Sequence, residues 1–308
     1  MLGGMGHGHG HAHTLPSSSR GLRALWVSFA VLATTAVAQA VLVGVTGSVA
    51  LLGDTLHNIT DALTAVPLGI AFLLGRRAAT RRFTYGLGRA EDLAGLVILA
   101  VIAASAVLTG WQAVARLMSP QPVSGVWWLA LAGVIGFAGN EAVARYRIRI
   151  GREIGSAALV ADGLHARTDG FTSLAVVVAA GGAAVGWMWL DPVVGLAIAL
   201  AIGWVLIGAA KEVLGRLLDA VDPALVDRAE TALRATTGVL AVDELRLRWV
   251  GHRVTAEAEV AVNADLTLVA AHEIAHEAED ALRHAVPQLA TATIHAHPGT
   301  RESNVHVG

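Results

Sequence analysis

The chain has 308 residues, is 55% hydrophobic with a mean hydropathy of +0.59, and carries a formal net charge of −2. That is too apolar for an ordinary soluble domain, and the absence of cysteine excludes disulfides and restricts any metal site to His, Asp, Glu or backbone donors. The small net charge hides an asymmetry: residues 1–218 hold 15 Lys and Arg against 10 Asp and Glu, and residues 219–308 hold 7 against 14. This implies a mildly basic membrane domain followed by an acidic, polar one.

In chain order, residues 1–20 form a low-complexity tail containing "MGHGHGHAH". It lacks the basic, apolar and small-residue sequence of a cleaved signal peptide, and reads either as a flexible metal-collecting tail or as a neutral linker. Six apolar spans follow within a transmembrane domain at 21–213, at about 22–44, 48–74, 90–116, 125–146, 154–184 and 190–212. Each is long enough to cross a bilayer core at ~1.5 Å per residue. Arg76, Arg77, Arg81, Arg82 and Arg89 lie between spans 2 and 3, and Arg145, Arg147, Arg149 and Arg152 at the junction of spans 4 and 5. Arg20 and Arg23 precede span 1, and Lys211 and Arg216 follow span 6, whereas the opposite side shows only Arg116. With six spans all the basic clusters fall on one side, so both termini are expected in the cytoplasm. Trp127, Trp128, Trp187 and Trp189 sit near the outer span ends, as an aromatic belt would.

Residues 214–300 read as a small α+β domain in the order α-β-β-α-β, with 301–308 as a tail. "DPALVDRAETALRATTG" is a helix with Pro223 in its first turn. Leu240–Val250 and Arg253–Val262 are strands about a turn at Gly251–His252, "LTLVAAHEIAHEAEDALRHA" is a helix and "ATATIHAH" a strand.

The informative chemistry lies inside the spans. "SVALLGDTLHNITD" (48–61) and "SAALVADGLHARTD" (156–169) share eight of 14 positions, and His57 and His165 are the histidines that fall within spans. His57 and Asp61, and His165 and Asp169, are four apart and share a helix face. A lone charge at mid-bilayer costs about 2.5–3.5 kcal/mol on insertion scales, so such groups persist where they pair, face water or bind an ion. One copy reads equally well as a buried His–Asp contact that stabilises packing. Two copies on antiparallel spans 2 and 5 supply two imidazoles and two carboxylates, a set tetrahedral Zn²⁺ accepts, with the site at the interface of a 3+3 inverted repeat. These groups also titrate, and a metal must displace their protons. Asp54 and Asp162 stay unassigned, as outer ligands, vestibule groups or caps.

These residues resemble the cation diffusion facilitators, divalent-metal/proton antiporters. The likeness spans about 20–298 and rests on the paired HxxxD motifs, "FTYGLGRAE" (83–91), the six spans, "DLTLVAAHEIAHEAE" and "IHAHP". The resemblance implies that His57, Asp61, His165 and Asp169 form the transport site of a Zn²⁺ exporter with H⁺ as counter-ion, of the HxxxD/HxxxD zinc-preferring type. It also implies a homodimer in the cytoplasmic membrane whose metallochaperone-like C-terminal domain is regulatory. Relatives that bind metal between spans 2 and 3 use histidines; residues 75–90 have none, so no metal site is expected there. In the C-terminal domain His272, His295 and His297 match metal-binding positions of relatives. Glu259 stands at a further such position, with His252 as its expected substitute, giving the set His252, His272 and His295.

"HEIAH" (272–276) also fits the H-E-x-x-H of zinc hydrolases. The extended pattern would need Gly and His where Glu279 and Leu282 stand, and the domain is small for a protease. A membrane zinc hydrolase and a metal sensor that does not transport remain the alternatives to an exporter.

Overall fold

In the computed structural model the chain is described over residues 15–46, 65–118, 126–187 and 189–299. It divides into two compact units, 1–211 and 212–308. The first is helical: α1 (Leu15–Thr46), α2 (Ala65–Gly75), α3 (Ala90–Met118), α4 (Val126–Ile154), α5 (Ala157–Ala184) and α6 (Leu190–Leu217), the last running into the second unit. Among the described residues four segments are long and apolar enough to cross a membrane: Ser18–Leu42, Ala90–Met118, Val126–Ile154 and Leu190–Leu217. Helix α5 matches them in length at 28 residues, but its polar run from Asp162 to Asp169 lowers its apolarity. Helix α2 covers the last part of the second expected span; Asp54, His57 and Asp61 lie outside the described residues.

The fourth span is longer than the sequence suggests. Helix α4 runs on to Ile154, so Arg145, Arg147, Arg149 and Arg152 are helical residues and not loop residues. Arginine is a good helix former, and hydropathy alone ends a span where the apolar residues end, not where the helix does. The true link to α5 is Gly155–Ser156. Gly155 takes φ +78, the left-handed conformation glycine adopts without a Cβ penalty. Its N–H bonds Arg152 O at 3.3 Å, and the Ser156 N–H bonds Gly151 O at 2.8 Å, which together form a Schellman cap. Ser156 then caps α5, its Oγ accepting the Leu159 N–H at 3.0 Å.

This turn folds α5 directly back on α4 with almost no gap between backbones. A Cβ on Gly163 would stand 2.9 Å from the Ile148 nitrogen, and one on Gly151 2.9 Å from the Val160 nitrogen. Such small residues let membrane helices pack closely where lipid offers no hydrophobic drive to bring them together. Helix α1 closes a third side through Leu32, which packs with Val143, Ala144 and Ala166. At the opposite ends of the helices Arg116 of α3 pairs with Asp191 of α6 at 2.8 Å. Trp127, Trp187 and Trp189 are more than half exposed, on the surface a belt requires.

The second unit follows the expected order: α7 (Pro223–Arg234), β1 (Ala241–Val250), β2 (Arg253–Val262), α8 (Leu268–Ala285) and β3 (Leu289–Pro298). Asp222 caps α7 by accepting the Ala224 N–H at 2.9 Å, with Pro223 behind it. The sheet order is β1-β2-β3, antiparallel then parallel. Strand β2 alternates, burying Val254, Ala256 and Ala258 while Glu257 and Glu259 are exposed. Leu225, Ala229 and Leu233 of α7 and Ala278 and Leu282 of α8 complete the core on the buried face. The other face of the sheet is polar.

The α4–α5 contact yields a direct test. Gly163→Val overpacks it, and the detergent-solubilised protein should lose ~1–3 kcal/mol of stability, read as a lower thermal-unfolding midpoint.

Candidate metal site and polar clusters

Asp162, His165 and Asp169 succeed one another at three and four residues on α5, so they share one face. All three are buried, at 0%, 1% and 3% exposure. His165 Nδ1 lies 3.7 Å from Asp169 Oδ2. That is beyond an ordinary hydrogen bond and places an imidazole and a carboxylate side by side. The neighbouring hydroxyls are turned away from the pair: Thr168 Oγ1 donates to His165 O at 2.7 Å and Thr172 Oγ1 to Asp169 O at 2.8 Å. Across the contact, Asn140 of α4 is 1% exposed and Gln39 of α1 is fully buried, its Nε2 donating to Ala132 O at 3.3 Å. His57 and Asp61, the other half of the expected set, lie outside the described residues.

Asp162 has a role that the sequence left open. Its Oδ2 is 2.8 Å from Arg147 Nη1, with side-chain exposures of 0% and 1%. Sequence reasoning placed Arg147 with the basic residues of a cytoplasmic junction. A periodic signal was nonetheless present: Asn140, Val143, Ala144, Arg147 and Gly151 form one stripe of α4, and that whole stripe is buried. Glu141, one residue off the stripe, is held by Arg145 at 2.7 Å and by a two-pronged contact from Arg167 at 3.1 and 3.2 Å. Glu91 and Asp92, in the first turn of α3, are buried at 3% and 6%.

In the C-terminal unit the expected histidines separate. His252 sits in the β1–β2 turn at 7% exposure. His295 lies on β3 in register with Glu259, seven residues along β2. At ~3.3 Å per residue this puts them roughly 20 Å apart in one chain, so His252 does not substitute for Glu259 beside His295. Nor does His272 join them: among the described residues no three His, Asp or Glu converge as a metal would require. His272 instead meets His276 one turn on, Nε2 to Nε2 at 3.1 Å. Two residues stand near His295, one of which, Asp243, nothing in the sequence singled out. His297 stacks on it at 6.2 Å between ring centroids, and its Nε2 lies 2.8 Å from Asp243 Oδ2. Asp243 is the extra residue of a β-bulge, where the β1–β2 register shifts between Val242 and Glu244. Bulges re-aim side chains in this way, and no periodic pattern announces them.

Comparisons with known proteins agree with this layout. Residues 25–218 match the cation efflux transmembrane domain, and residues 221–299 the cation efflux protein, cytoplasmic domain. Two probable cation efflux system proteins of Mycobacterium tuberculosis, from strains H37Rv and CDC 1551, are each 58% identical over 292 residues, covering 95% of this chain and 88% of theirs. The manganese efflux system protein MneS of Bacillus subtilis is 26% identical over 235 residues, covering 75% of this chain and 80% of that one. The cation-efflux pump FieF of Klebsiella pneumoniae is 27% identical over 269 residues, covering 85% and 89%. The chain belongs to the cation efflux (cation diffusion facilitator) family of multi-pass membrane transporters, and is a transporter rather than an enzyme.

Proposed function

We propose that the chain exports Zn²⁺ from the cytoplasm in exchange for protons, through a site formed by His57, Asp61, His165 and Asp169. The observation that carries this reading is the buried His165–Asp169 pair on α5, whose sequence recurs at 57–61. Two imidazoles with two carboxylates suit Zn²⁺ better than Mn²⁺, which prefers all-oxygen sites. The metal named for the Bacillus relative is therefore a comparison for the test and not the expected cargo. Binding Zn²⁺ displaces protons from the imidazoles and carboxylates, and protons arriving from outside displace the metal outward. The two half-sites fall in different expected spans, so tilting of helix bundles about them would expose the site to each side in turn.

Both termini lie in the cytoplasm on this reading, with residues 21–213 as the transport domain of the cell membrane and 214–300 as a regulatory, dimerising domain. The two Arg-rich stretches support that orientation, and Asp191 neutralises the one arginine opposite. Zinc bound on the C-terminal domain would bring two tails together and bias transport through the homodimer.

Uptake of ⁶⁵Zn into proteoliposomes under a pH gradient tests the central claim. Asp169→Ala should reduce uptake to the rate of protein-free vesicles, and dissipating the gradient should slow the parent protein. Equal uptake by parent and variant would sink the proposal, and uptake of Mn²⁺ in preference to Zn²⁺ would overturn the cargo. Glu273→Ala, in the exposed HEIAH motif, should leave uptake unchanged, whereas a hydrolase centred there requires that carboxylate.

A further inference from the structure

The Arg147–Asp162 pair is out of reach of solvent and has no stabilising excess to justify it. Arg147 Nε and Nη2 and Asp162 Oδ1 make no hydrogen bond among the described residues. A buried ion pair with donors left over is weak evidence for stability, since apolar residues of similar volume commonly replace such pairs without loss. Its place is more telling. Asp162 stands one turn before His165 on the same face of α5, and its carboxylate is committed to a guanidinium that reaches across from α4.

We propose that Arg147 and Asp162 are a charge-balancing, positioning pair that sets the affinity of the transport site for a divalent cation, a reading that rests on His165 and Asp169 holding the metal. Arg147 takes Asp162 out of the ligand set and cancels its charge. Asp162 in turn cancels the guanidinium, which would otherwise repel a divalent ion a turn away. The balance leaves the site tight enough to load and loose enough to release. Neither residue touches the metal.

The two charges have opposite signs, so removing them one at a time has opposite effects on binding. In ⁶⁵Zn uptake by proteoliposomes, Asp162→Asn leaves the guanidinium unbalanced, and KM should rise by about tenfold. Arg147→Gln leaves a bare carboxylate beside His165; KM should fall, and kcat with it because release slows. The double variant Arg147→Gln/Asp162→Asn should return KM to within about threefold of the parent, as expected for residues that act as a unit. A merely structural pair predicts something else: among variants that fold, KM moves the same way in each or in neither. Either result overturns the proposal. Should a single variant fail to fold, as judged by gel filtration, the exchanged pair Arg147→Asp/Asp162→Arg decides. It keeps the pair neutral, so KM should stay within about threefold of the parent, and a folded exchanged protein whose KM moves by about tenfold overturns the charge balance. Asp169→Ala in the same vesicles separates the two claims. Uptake that survives it refutes the site, while unmoved KM values alongside an inactive Asp169→Ala refute the pair alone.

Discussion

The contact between α4 and α5 is the constraint on which the rest of the membrane unit depends. Placing Asp162, His165 and Asp169 in an apolar environment is unfavourable unless every polar group finds company within a few ångströms. For Asp162 the chain supplies a partner, Arg147, by bringing two helix backbones almost into touch. Gly151 and Gly163 remove the side chains that would hold them apart, and the Gly155–Ser156 turn leaves no slack between the helices. With the backbones this close, a side chain as long as Arg147 can lie in the interface and still reach Asp162. The polar face of α5 is thus a property of the hairpin, not of α5 alone.

The C-terminal unit is built on a different principle. Its core is an ordinary soluble one, with alternating β2 residues closed off by one face of each of two amphipathic helices. What is unusual is the other face of the sheet, which carries Glu257, Glu259, His295 and the Asp243–His297 pair. The core fixes the fold, and the open face is left to interact. The bulge at Asp243 brings an acid from β1 to a histidine of β3, across the intervening strand.

Much of this was legible in the sequence, and the parts that were not share a cause. Hydropathy found the four described spans because a bilayer demands long apolar runs, and recurrence found the HxxxD motifs because Asp and His are rare in such runs. The five elements of the C-terminal unit followed from period-2 and period-3.6 patterns with Pro223 and Gly251 as punctuation. The failures concern pairs distant in sequence. Arg147 looked like one of four equivalent junction arginines, and only the packing of α4 on α5 makes it different from Arg145 and Arg149. His252 was the expected substitute for Glu259, yet an extended strand carries the seven residues between them a long way. Asp243 looked like any surface acid until the register shift re-aimed it.

The buried Arg147–Asp162 pair also bears on how such a chain changes over generations. Removing one partner of a buried ion pair costs about 3–5 kcal/mol, whereas replacing both together can be neutral. The two positions are therefore bound in inheritance: a lineage that loses one charge must quickly lose or exchange the other. On that cost, positions 147 and 162 would change together or not at all, although fourteen residues and a reversal of chain direction separate them.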